Sequence, residues 1–112
     1  METRIPKRFK LLGQTIEVSL VDHIASQNGT LGEARTTQNS ILLQKSVDGF
    51  PLPESQRLHI FWHEAIHHVL EAMGQHELAS EEPFVDLLAG MIHQVVTTME
   101  YDDPKPVKKG RK

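Results

Sequence analysis

The spacing of apolar residues changes once along this chain. From Arg8 to Val21, in RFKLLGQTIEVSLV, Phe9 and Leu11 and then Ile16, Val18 and Leu20 alternate with other residues, and Gly13-Gln14 separates the two runs. A period of two puts one set of side chains on one face of extended backbone, so this segment predicts a hairpin or a bent strand. Asn28-Gly29 and Gly32 carry turn signals, Glu33 to Gln38 predicts a polar edge strand, and SILLQKS at 40–46 predicts the next strand, ending before a turn at Asp48-Gly49.

After that turn the period becomes helical. Leu58, Phe61, Ala65, Val69 and Met73, joined by Trp62, Ile66 and Leu70, form one apolar stripe. The stripe predicts a helix from about Pro53, which suits a first turn, to Met73, with Gly74 just past its end. A second helix is predicted from about Ser80 to Glu100: Ser80 can cap it, Glu81 and Glu82 favour its positive end, and Pro83 is tolerated in the first turn. Strands first and helices after define an α+β domain, a small antiparallel sheet of about three to four strands with two packed helices on one face.

A chain of 112 residues supports a single core, so we expect one domain over 1–103 and a basic, disordered tail over 104–112. The absence of cysteine excludes disulfide frameworks, cysteine zinc ribbons and thiol nucleophiles, and fits a reducing cytosol. The sequence has no run long enough for a membrane span and no signal-like segment, so a cytoplasmic protein without membrane contact is expected. Residues 11–103 hold fourteen acidic and three basic residues, a body near -11. Such a body repels phosphate backbones, and a nucleic-acid function would rest on the basic ends alone.

Within the first helix, FWHEAIHHVLEAMG contains H-E-x-x-H at His63-Glu64-Ala65-Ile66-His67. Residues four apart are slightly more than one turn apart, so both imidazoles project from one face and can approach a single cation. Glu64 lies about 100° round the helix, placed to reach water on a metal rather than the metal itself. A catalytic zinc site needs a third protein ligand. A third histidine six residues after the second is ruled out, because Met73 stands there and Leu70 occupies the accompanying glycine position. A carboxylate from the second helix remains. Glu82 and Asp86 share a face, Glu82 as ligand and Asp86 as acceptor for a histidine N–H, and Ala89 and Gly90 would let that helix approach closely. Glu81 is the competing ligand.

HEAIHH followed by EEPFVDLLAGMI resembles the small zincin metallopeptidases of the ImmA/IrrE type, especially their compact phage and prophage relatives, over roughly residues 8–99. The resemblance implies zinc held by His63, His67 and a glutamate matched to Glu82. It also implies Glu64 as general base, and a protein or peptide substrate cleaved by zinc-activated water. It further implies a substrate held by strand addition to an edge beside the helix, either 33–38 or 40–46. A rival reading keeps zinc as a structural clip in a non-catalytic binding module for a basic protein partner; Glu64 speaks against it, since a clip has no use for a base. The other histidines carry weaker signals. His68 points about 100° from its ligand neighbour, and His93 lies about 16 Å beyond Glu82 along the helix. His76 could fold back as a ligand or oxyanion donor, His23 and His59 have no visible role, and Trp62 reads as core.

Overall fold

The computed structural model describes residues 5–24 and 30–102. The expected Asn28-Gly29 turn and the 104–112 tail lie outside them. Strands β1 (Arg8–Leu11), β2 (Gln14–Val21), β3 (Gly32–Arg35) and β4 (Ser40–Gln44) form a sheet in the order β1-β2-β4-β3. A two-stranded ribbon, β5 (Ser46–Val47) and β6 (Phe50–Pro51), leads into α1 (Glu54–Ala72), followed by α2 (His76–Ala79) and α3 (Glu82–Thr98). Among the described residues no helix is long and apolar enough to cross a membrane.

The expected hairpin is present: β1 and β2 pair antiparallel, with Leu12 and Gly13 both at positive φ in the turn, the arrangement that matches strand twist in a two-residue loop. The sheet as a whole is mixed rather than antiparallel. β2 pairs parallel with β4, in the register Glu17↔Ser40 to Val21↔Gln44, while β3 pairs antiparallel with β4. Alternation of side chains reports which face of a strand is buried and carries no information about strand direction.

The predicted edge strand is shorter than 33–38. A 3-10 turn at Thr36–Gln38 and a left-handed Asn39 reverse the chain into β4. Because β4 lies between β2 and β3, the edge beside α1 is β3, and 40–46 is not an edge. Gly32 is a strand residue paired with Leu43, not a turn. A Cβ at Gly32 would stand 2.4 Å from Ile60 Cγ2 and 2.9 Å from Glu64 Oε2, so glycine is required by the closeness of strand and helix.

Two clusters make the core. Ile16, Ile41 and Leu43 of the sheet meet Phe61 and Ala65 of α1, with Phe9 edge-on to Phe61 at 5.8 Å. Behind α1, Ile66 and Leu70 meet Ala79, Val85 and Ala89, and Trp62 packs against both clusters, as its core reading anticipated. The second long helix begins at Glu82 instead of Ser80. The Ser80 hydroxyl donates to the Glu77 carbonyl at 2.7 Å and closes α2, an element that four residues were too few to announce. Glu81 takes the position just before α3, and Pro83 falls in its first turn.

Candidate metal centre

Helix α1 supplies two imidazoles and α3 supplies two carboxylates. His63 and His67 recede toward the helix packing, with side chains 20% and 16% exposed, whereas Glu82 and Asp86 reach in from the rim. His63 Nε2 lies 2.9 Å from Glu82 Oε1, and His67 Nε2 lies 3.4 Å from the same oxygen. Donor atoms of His63, His67 and Glu82 all fall within 4.8 Å of one another. Glu81 stays exposed outside this group.

The fit of a cation can be tested on hydrogen-bond chemistry. His63 Nδ1 is 3.1 Å from Asp86 Oδ1, and an ionised carboxylate only accepts, so Nδ1 carries hydrogen and donates to Asp86. A neutral His63 then presents a lone pair at Nε2 to another carboxylate oxygen. Lone pair against lone pair is repulsive, so a positive charge is required there, either a proton or a metal ion. The electrostatics of the two side chains agree with this. Burial pulls the His63 pKa down, but the Asp86 hydrogen bond, the Glu64 charge and Glu82 outweigh it and hold the pKa above its ordinary value. Asp86 is held below the ordinary carboxylate value by the His63 bond, against burial, with His59 adding to the effect. Two imidazoles and a carboxylate suit a borderline cation such as zinc.

Glu64 stands apart from the donor group and is buried. Desolvation pushes its pKa up to about 7; His63 and the backbone amide of Ala34 pull it down, while Glu82 and Glu33 push it further up. It faces a cleft of about 820 Å³ bounded by β3, α1 and the start of α3.

Four histidines have contacts that sequence reasoning did not assign. His59, one turn before His63, lies with Nε2 3.2 Å from Asp86 Oδ1, so one carboxylate oxygen serves two imidazoles. Its spacing of four from His63 was the available signal. His68 is buried and its Nε2–H donates to the Ser40 carbonyl at 2.9 Å, tying α1 to β4. His76 pairs with Glu71 and is not among the clustered donors. His93 packs at 5.9 Å from His59, its pKa lowered by burial and then by the His59 charge. In comparisons with known proteins, no family model, no curated protein and no solved structure matches this chain.

Proposed function

We propose that this protein is a zinc-dependent hydrolase, a metallopeptidase of the small zincin kind with ImmA/IrrE-type kinship, acting on a protein or peptide in the cytoplasm. The observation that carries the reading is a donor trio converging on one point beside a separate buried carboxylate. A purely structural clip accounts for the first and leaves the second without a use.

His63, His67 and Glu82 would hold the metal, and Asp86 would fix the His63 ring so that Nε2 faces it. Bound zinc would supply a Lewis acid toward the scissile carbonyl and water of lowered pKa. Glu64, whose proton affinity is near neutral, accepts a proton at a carboxylate oxygen from the attacking water and returns it to the leaving amine. Among the described residues no strand pairs with the outer edge of β3, which offers backbone groups to an extended peptide, and Gly32 lets that strand lie against Glu64.

Glu64→Gln tests this reading, because Glu64 is not in the donor trio. Zinc content near one per chain should be retained, while hydrolysis of a fluorogenic peptide library falls by at least about 10²-fold. Hydrolysis at the wild-type rate by the Gln variant would overturn the mechanism.

A further inference from the structure

The turn between β1 and β2 holds a leucine for which the fold has no use. Leu12 sits at φ 51°, in the left-handed region, and is followed by Gly13 at φ 81°. A two-residue turn of this kind favours asparagine and then glycine, and a leucine there carries strain. Burial does not compensate. Leu11 packs against the sheet cluster, but Leu12 is 78% exposed, the most exposed large apolar side chain among the described residues. A side chain that is both strained and solvated points to a contact with something outside the fold.

Leu12 stands at a second cavity, of about 450 Å³, between that turn, the 3-10 turn at Thr36–Gln38 and the last turns of α1. The volume is in the range that encloses a small ligand or a large side chain. The cavity adjoins the cleft of the candidate metal centre, because Thr36 and Glu71 line both. Its apolar walls come from Leu11, Leu12, Ile16 and Ala72. The two ionisable groups that line it are already engaged: His68 Nε2–H donates to the Ser40 carbonyl, and Glu71 pairs with His76. Of the polar walls, Asn39 Nδ2 donates to Gln14 Oε1 at 2.9 Å. A charged group entering here would lose water without meeting a free countercharge, so the cavity suits a large neutral apolar side chain.

Its position says what would carry that side chain. A peptide extended along the outer edge of β3 passes from Gly32, beside Glu64, toward Thr36, at the border of the cavity. Glu71 stands about 6 Å beyond His67 along α1, at 1.5 Å per residue, and an extended chain advances about 3.3 Å per residue. The cavity is therefore about two residues from a bond held at the metal. We propose that it is a specificity subsite, which takes a large aliphatic or aromatic side chain of the peptide substrate, with Leu12 closing over that side chain. The proposal rests on the hydrolase reading for the peptide that brings the side chain in; the cavity and its strained leucine stand without it.

The first test titrates N-acetyl-phenylalaninamide into the full metal-free chain and follows backbone amide shifts by NMR. Saturable shifts should centre on Leu12, Gly13, Thr37 and Ala72, and the amides of N-acetyl-lysine and N-acetyl-aspartate should leave these positions unmoved. Leu12→Asn should weaken the phenylalanine probe at least about threefold, while the melting temperature holds or rises because Asn-Gly suits the turn. A leucine kept for the fold would lower the melting temperature on replacement. The second test sequences the products of a peptide library cleaved by the zinc-loaded protein. A bulky apolar residue should be selected about two positions from the cut bond, and Leu12→Asn should reduce that preference at least about threefold. Shifts absent from those amides, a Leu12→Asn protein that binds the probe like wild type, or cleavage with no apolar preference at that distance would each overturn the proposal. A library left uncut, with the probe still bound at Leu12, would instead overturn the hydrolase reading and leave the cavity as a site for apolar side chains.

Discussion

The two long helices are nearly equal in length and differ sharply in how they are held. Seven of the nineteen residues of α1 are buried, whereas α3 buries two of seventeen, Val85 and Ala89. The difference comes from position: α1 lies between the sheet and α3, and among the described residues α3 packs chiefly on α1 and α2. The candidate metal centre is thus divided between a firmly set half, the imidazoles, and a lightly held half, the carboxylates. Stability should follow the first helix and ligand geometry the second.

The widest separation should come from core truncations. Phe61→Ala should cost about 3–5 kcal/mol in urea denaturation, because an aromatic ring is removed from the sheet-facing cluster. Val85→Ala should cost only about 2 kcal/mol, yet it should weaken zinc binding, since it loosens the turn between Glu82 and Asp86. If Val85→Ala leaves zinc affinity untouched while Phe61→Ala reduces it, the division of labour is the reverse of the one drawn here.

Next in size is a pH effect on α1. In metal-free protein the Glu64 pKa is raised from 4.5 to about 7. At Glu64 the folded state therefore binds a proton more tightly than the unfolded state, so this residue's contribution to stability is fullest below pH 4.5 and declines as pH rises through 7, whereas that of Asp86, held low, is lost at acid pH. The loss is on the order of 3 kcal/mol. His63, also raised, has the same sign and extends the decline above 6.5. Glu64→Gln should flatten the lower part of this slope in melts of chelator-treated protein. An unchanged slope would mean that Glu64 is solvated in solution.

The smallest effects should rank the α3 carboxylates by zinc titration. Glu82→Gln should lose most affinity, Asp86→Asn about 10-fold to 100-fold, and Glu81→Gln almost none. Metal loss in the Glu81 variant alone would shift the ligand register by one residue.

Most of the helical half was legible in the sequence, since apolar spacing places Leu58, Phe61, Ala65, Ile66 and Leu70 on the buried face of α1, although Met73 of the same stripe is exposed past the helix end, and the four-residue interval fixes the side from which His63 and His67 project. Gly74 marked the end of α1, and it adopts the left-handed conformation there. What escaped was long-range. The parallel β2–β4 pairing depends on strand direction, the place of Gly32 depends on a helix distant in sequence, and the bond from His68 to Ser40 joins residues 28 apart. Ser80 looked like a cap for the helix after it because its sequence context suits both roles, and only the packing of Ala79 into the second cluster decides between them.

That packing gives the link between α1 and α3 a property unlike that of an ordinary surface loop. Fourteen residues separate His67 from Glu82, and Ala79 among them is locked into the core. Each residue added or removed at the start of α3 would turn that helix by about 100°, which is enough to swing Glu82 and Asp86 out of phase with His63 and His67. The linker thus works as a gauge, setting the angular phase between two helices by its length, and a change of length would be felt at the donor group before it was felt in the fold.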